Sequence, residues 1–120
     1  MQKYRNRKVR IGSREYASQK EANRRQMLLL LQKAGKISEL REQVTYELIP
    51  TIREPDTFGP RGGVRKGKVI EHGVSYIADF VYKDENGCEI VEDTKGFRTK
   101  DYIIKRKLFL WRYGIRIKEV

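Results

Sequence analysis

Apolar positions in this chain fall into short β-prone runs interrupted by two stretches with helical spacing. Lys8 to Ile11 and Glu15 to Ala17 flank Gly12-Ser13 and predict a small hairpin. Ser18-Gln19-Lys20-Glu21 is a capping box, with Ser at the N-cap and Glu at the third helical position. It predicts a helix over 19–34, with Gly35 placed to end it. Met27 to Leu31 is apolar on nearly every side, so this half of the helix is expected to be deeply packed. Glu21 lies seven residues before Leu28 on the same face, at the polar head of the packing stripe. Val44 to Ile52 reads as a strand edged at Pro50.

Residues 53–68 carry Pro55, Gly59-Pro60 and Gly62-Gly63 and predict a flexible basic loop. Val69 to Tyr82, then Asp84-Glu85-Asn86-Gly87, then Cys88 to Thr94 make a β-hairpin signature. A second helix is predicted over 100–113, with Ile104, Leu108 and Trp111 at core-facing spacing and Gly114 as its stop. Ile115 to Val120 forms a last short strand. The order β-β-α-β-β-β-α-β describes an α/β (α+β) fold, a central mixed sheet flanked by helices.

Composition narrows the function. A chain of 120 residues predicts a single domain, 1–120. Lys and Arg number 27 against 16 Asp and Glu, a net charge of +11 with pI near 9.9, which points to a polyanionic partner such as a nucleic acid. Cations cluster in a basic arm over 1–10 (Arg5, Arg7 and Lys8 among them), which reads equally as a phosphate-binding segment or a solvated tail. They recur at Arg61, Arg65 and Lys66 in the loop, and at Lys100, Lys105 and Arg106 in the second helix. No run is apolar long enough to cross a bilayer, and no secretory leader is expected from the first residues. One Cys and one His exclude an internal disulfide and argue against structural zinc, so the cytoplasm is the expected compartment. Any metal is expected to take oxygen ligands, which favours Mg²⁺ or Mn²⁺.

The chemistry concentrates in Tyr76-Ile77-Ala78-Asp79-Phe80 and Val91-Glu92-Asp93-Thr94-Lys95-Gly96, two β-prone runs that carry charges where a buried strand is ordinarily apolar. Their register decides which acids meet. A two-residue loop pairs Asp79 with Thr94, and a four-residue loop pairs it with Glu92. A three-residue loop, Glu85-Asn86-Gly87, pairs it with Asp93 and suits a type I turn with a G1 bulge. In that register Asp79, Asp93 and Lys95 share one face and Glu92 and Thr94 the other; a different bulge would swap Glu92 for Asp93. Such carboxylates can hold one or two divalent ions, and a neighbouring ammonium can stabilise charge on a phosphate. Glu21, arriving from the helix, would complete the set. Alternatively Asp79 and Lys95 form a structural ion pair, Glu21 only caps its helix, and Tyr76 is a strand aromatic.

In these residues the chain resembles the PD-(D/E)XK nuclease superfamily, the restriction-endonuclease-like fold. Asp79, Asp93-Thr94-Lys95 and Glu21 match its acid, its (D/E)-x-K strand and its helical glutamate. Tyr76 to Phe80 is similar to a Y-x-x-D-F variant, and Ser18 to Ala22 to the S-x-x-E-A helix start of phage and transposon members. Nearly the whole chain also resembles small phage and prophage nuclease-like proteins of uncharacterised function that begin K-Y-x-N and end Y-G-I-x-I-x-E-V. The resemblance implies a Mg²⁺- or Mn²⁺-dependent DNA endonuclease of a phage or prophage. Its catalytic residues would be Glu21, Asp79, Asp93 and Lys95, and its substrate branched or duplex DNA, as for a junction resolvase. It also implies a homodimer. Two other readings stand beside it: a non-catalytic nucleic-acid-binding module on a nuclease fold, and a phage protein that binds a host factor.

Overall fold

The computed structural model describes residues 9–11, 14–16, 18–95 and 97–120. Arg5, Arg7 and Lys8, and with them most of the expected basic arm, lie outside the described residues. In chain order the elements are β1 (Val9–Ile11), β2 (Arg14–Tyr16), α1 (Gln19–Lys33), β3 (Ser38–Ile49), β4 (Ile52–Arg53) and β5 (Thr57–Phe58). They continue with β6 (Val64–Arg65), β7 (Val69–Glu71), β8 (Val74–Lys83), β9 (Glu89–Asp93), α2 (Lys100–Tyr113) and β10 (Lys118–Glu119).

The centre is a four-stranded mixed sheet in the order β10-β9-β8-β3. β8 runs antiparallel to both of its neighbours, β3 and β9, and β10 runs parallel to β9. The mixed α+β architecture is therefore the one expected, with α1 packed on one face of the sheet and α2 on the other. Among the described residues no helix is long and apolar enough to cross a membrane.

Local chemistry explains both helices. The Ser18 hydroxyl accepts the Glu21 N–H at 3.2 Å and starts α1. Gly35 N–H to Gln32 C=O and Lys36 N–H to Leu31 C=O form a Schellman end. Thr99 caps α2 by accepting the Tyr102 N–H at 3.0 Å, and Gly114 closes it.

The packed faces differ from those expected. In α1 only Leu28 of the Met27–Leu31 run is buried, while Met27 and Leu30 stand half or more exposed. In α2 the inward stripe is Tyr102 and Phe109, with Leu108 and Tyr113 alongside; Ile104 and Trp111 face solvent, Trp111 at 81% exposure. Apolar periodicity marks an amphipathic helix but not its rotation when aromatic and aliphatic residues lie on both candidate faces.

The predicted loop over 53–68 is also more ordered than its Pro and Gly content suggests. β3 and β8 continue beyond the sheet as a narrow antiparallel ribbon, first β4 with β7, then β5 with β6. Gly67 is required there: a Cβ on it would lie 1.7 Å from the Glu54 carbonyl oxygen.

One irregularity organises the sheet. Tyr76 and Ala78 pack toward α2, with Val44 and Tyr46 of the neighbouring strand, whereas Phe80, Tyr82 and Leu40 pack toward α1. The inward parity of β3 and β8 thus switches between these residues, at the level where Gln43 faces Asp79. Gln43 has φ of 52°, a left-handed conformation inside a strand. Such a conformation costs on the order of 1–3 kcal/mol and persists only where surrounding structure holds it.

Candidate functional site

The β8–β9 turn sets the geometry. Gly87, at φ 78°, donates to the Asp84 carbonyl, and the Asp84 N–H donates to Cys88. The Asp84 carboxylate accepts the N–H groups of Asn86 and Cys88, both at 2.9 Å. This is the three-residue loop with a left-handed glycine. Phe80 therefore pairs with Glu92 and Val81 with Val91, and one step further Asp79 stands level with Asp93. Glu119 of β10 is level with Asp93 on its other side. Three acids thus lie in a row across β8, β9 and β10.

Glu92 belongs to the opposite face. It is fully buried, and both of its oxygens are held by Arg24 of α1, at 2.8 and 2.7 Å, with the Tyr82 hydroxyl donating to the same carboxylate. The register that would have substituted Glu92 for Asp93 does not form.

Asp79 lies at the parity switch and is engaged from two directions. Its Oδ2 accepts both the backbone N–H and the hydroxyl of Thr94, each at 2.8 Å. Its Oδ1 accepts a longer bond, 3.4 Å, from the Gln43 amide, which also donates to Glu21 Oε1 at 2.8 Å. Glu21, 5% exposed, is thereby joined to Asp79 through Gln43, while its own N–H completes the helix cap. Capping and site membership coexist in this one residue. Gln43 was not singled out from the sequence. Its signal is its backbone conformation, which no local motif announces.

Asp93 faces α2. The buried Tyr76 hydroxyl donates to its Oδ2 at 2.6 Å, so Tyr76 is more than a strand aromatic. Its Oδ1 is buried with no hydrogen-bond partner, and the Lys95 ammonium approaches no closer than 3.8 Å. Burial, against the opposing pull of the Tyr76 hydrogen bond and with the negative charge of Asp79 added, brings the Asp93 carboxyl up to about 6. Tyr76 is itself driven far up, first by burial and then by Asp93. Lys95 pairs with Asp93 rather than with Asp79, and sits 5.0 Å from the centre of the Tyr102 ring. A cleft of about 300 Å³ opens beside it, lined by Tyr76, Lys95, Thr99, Tyr102 and Lys105 among others.

The expected residues therefore gather at one end of the sheet in two linked sets. Glu21, Gln43, Asp79 and Thr94 form one; Asp93, Lys95, Tyr76 and Tyr102 form the other. Among the described residues, no three His, Cys, Asp or Glu side chains group closely enough to hold a metal ion between them. An orphaned, buried carboxylate oxygen on Asp93 beside a second acid is nonetheless a donor set that suits a hard cation. Mg²⁺ is commonly held by one or two carboxylates together with substrate phosphate and water.

Of the expected phosphate contacts, Arg61, Arg65 and Lys66 are exposed on the ribbon, and Lys100 is exposed at the start of α2. Lys105 borders the cleft. Arg106 is drawn to Glu119 at 3.2 Å, which Arg98 also holds at 2.7 Å.

Residues 1–118 match the family described as Protein of unknown function (DUF1064). The chain belongs to that family. No curated protein and no solved structure matches it.

Proposed function

We propose that this DUF1064 protein is a divalent-metal-dependent DNA endonuclease of the PD-(D/E)XK type, as the sequence resemblance implies. The observation that carries the reading is Asp93 Oδ1, buried without a hydrogen bond and 3.8 Å from Lys95, in a carboxyl raised chiefly by burial and also by the charge of Asp79. Lys95, at 3.8 Å, is too far for a hydrogen bond to this oxygen, so a closer cation would compensate the buried carboxylate further. Asp93 and Asp79 would hold Mg²⁺ or Mn²⁺, with Glu21 acting on Asp79 through Gln43. The ion would supply a nucleophilic hydroxide near neutral pH and charge neutralisation at the phosphate.

The chain's own residues supply the rest. Lys95, partly exposed at the mouth of the cleft, is placed to stabilise negative charge on a phosphate oxygen. Thr94 fixes the orientation of Asp79 through two bonds to one oxygen. The net charge of +11 favours a phosphate backbone as partner. The homodimer, the preference for branched DNA and a phage or prophage origin remain part of the same proposal.

One observation favours a second reading. Both Asp79 oxygens already accept hydrogen bonds within the protein, as in a binding module that has given up catalysis. The experiment that separates them incubates purified protein with plasmid, forked DNA and four-way junctions, with Mg²⁺, with Mn²⁺ and with chelator. Metal-dependent cutting that is lost in Asp79→Asn and Lys95→Ala, with DNA binding retained, supports the nuclease. Binding without cutting in any metal overturns it in favour of the module.

A further inference from the structure

The ribbon formed by β4 to β7 ends in an apolar pair set in a field of positive charge. Phe58 and Val64 are directly opposed across β5 and β6, so both side chains project from one face; they are 75% and 64% exposed. The hairpin tip is fixed by Gly59 and Gly63, joined at 2.7 Å, and by the Gly62 N–H donating to Gly59. Lower on the ribbon, Asp56 accepts the Gly67 N–H at 2.9 Å and Arg53 donates to the Gly67 carbonyl at 3.1 Å. The acid nearest the tip is thus occupied in holding the ribbon's shape.

Residues 57–68 contain no acid and carry Arg61, Arg65, Lys66 and Lys68, all exposed. Among the described residues none of the four makes an ion pair. Among the described residues nothing covers this aromatic and β-branched pair, which stands together at the tip of the ribbon. Their surroundings select the occupant. A cationic rim calls for a polyanion, and the phenyl ring, having no polar atom, calls for an apolar face. A DNA strand with an unpaired base presents both. In a closed duplex the base faces are already covered by their stacking neighbours.

We propose that this ribbon is a DNA-engaging arm: Arg61 and Arg65 contact duplex phosphates while Phe58, backed by Val64, stacks on an unpaired base at a fork or junction. The inference rests on the nucleic-acid part of the proposed function but not on catalysis, and it assigns the substrate class as duplex DNA carrying exposed bases.

The test measures binding by fluorescence anisotropy with chelator present, so that cutting plays no part. The probes are a blunt duplex and the same duplex ending in a splayed fork. The full-length wild type is expected to bind the fork more tightly. Phe58→Ala should weaken fork binding by roughly 5- to 150-fold, the range of one lost base stack, and leave blunt-duplex binding within about 2-fold. Val64→Ser should act in the same direction, less strongly. Arg61→Ala with Arg65→Ala should weaken both probes and reduce the slope of log K against log salt by about 1.8.

Thermal melts of Phe58→Ala should match wild type, as its side chain is exposed. The proposal is overturned if Phe58→Ala leaves fork binding unchanged, or weakens both probes equally. It is also overturned if sedimentation shows a wild-type dimer that Phe58→Ala dissolves, since the apolar pair then serves a second copy of the chain. Failure of the cleavage assay alone would remove the nuclease reading and leave this arm standing. Absence of DNA binding at low salt would remove both.

Discussion

Tyr76 donates its hydroxyl to Asp93 Oδ2 at 2.6 Å and leaves Oδ1 of the same carboxylate buried without a hydrogen bond. The tyrosine holds one oxygen and so fixes the direction of the other, toward the end of the sheet where Asp79 and Lys95 lie. A carboxylate held this way is pre-oriented for a cation, and Lys95 compensates it only from 3.8 Å.

The pH dependence of stability follows from this. The Asp93 carboxyl rises from its ordinary 3.8 to about 6 on folding, so between those values the folded state binds more protons than the unfolded one. Stability falls as pH rises through this window, by on the order of 3 kcal/mol if Asp93 acted alone. Above about pH 6 the full cost is in place. Asp93→Asn is expected to flatten the decline in Tm between pH 4 and 7 and to raise Tm at pH 8. Mg²⁺ is expected to raise the wild-type Tm more at pH 8 than at pH 5, and to lose that effect in Asp93→Asn. An equal effect of Mg²⁺ at both pH values would argue against Asp93 as a ligand.

Gln43 links Glu21 to Asp79 through one amide. Gln43→Ala is expected to lower metal-dependent cleavage by one to two orders of magnitude, the scale typical of a residue that orients a metal ligand. It should also raise the Mg²⁺ concentration needed for half-maximal cutting, while leaving DNA binding in chelator unchanged. A loss of activity with no change in that metal requirement would place Gln43 in a purely structural role.

On the opposite face, the half-buried Arg24 holds the fully buried Glu92 in a bidentate pair. Arg24→Ala leaves the fully buried Glu92 carboxylate with the Tyr82 hydroxyl but no cation and is expected to destabilise the fold by about 3 kcal/mol, read from chemical denaturation. Glu92→Gln should cost less, because a neutral amide needs less compensation. Neither should change cleavage per folded molecule if Glu92 is structural.

In α2, Phe109 is fully buried and Trp111 is 81% exposed. Phe109→Ala is expected to cost about 3–5 kcal/mol, and Trp111→Ala about 0.5 kcal/mol or less. Trp111 is the sole tryptophan, so its emission should already be that of a solvated indole and should shift little on unfolding.

Much of this molecule was legible as sequence because the signals were local. Ser18 and Gly35 bound α1, and Gly114 closed α2, through bonds spanning a single turn. The Asp84-to-Gly87 turn chemistry set the β8–β9 register and so brought Asp79 level with Asp93. What stayed hidden depended on distant partners. Tyr76, Ala78, Phe80 and Tyr82 alternate without a break and read as one apolar face, yet the left-handed Gln43 on the neighbouring strand divides them between two cores. That division turns Asp79 toward Thr94 and Gln43, away from a simple shared face with Lys95. The rotation of α2, with Phe109 inward and Trp111 outward, was likewise settled by which side chains β3 and β8 offered to pack against. Turn and cap energetics reside within a few consecutive residues, whereas a strand's facing and a helix's rotation are decided by burial against elements far away in the chain.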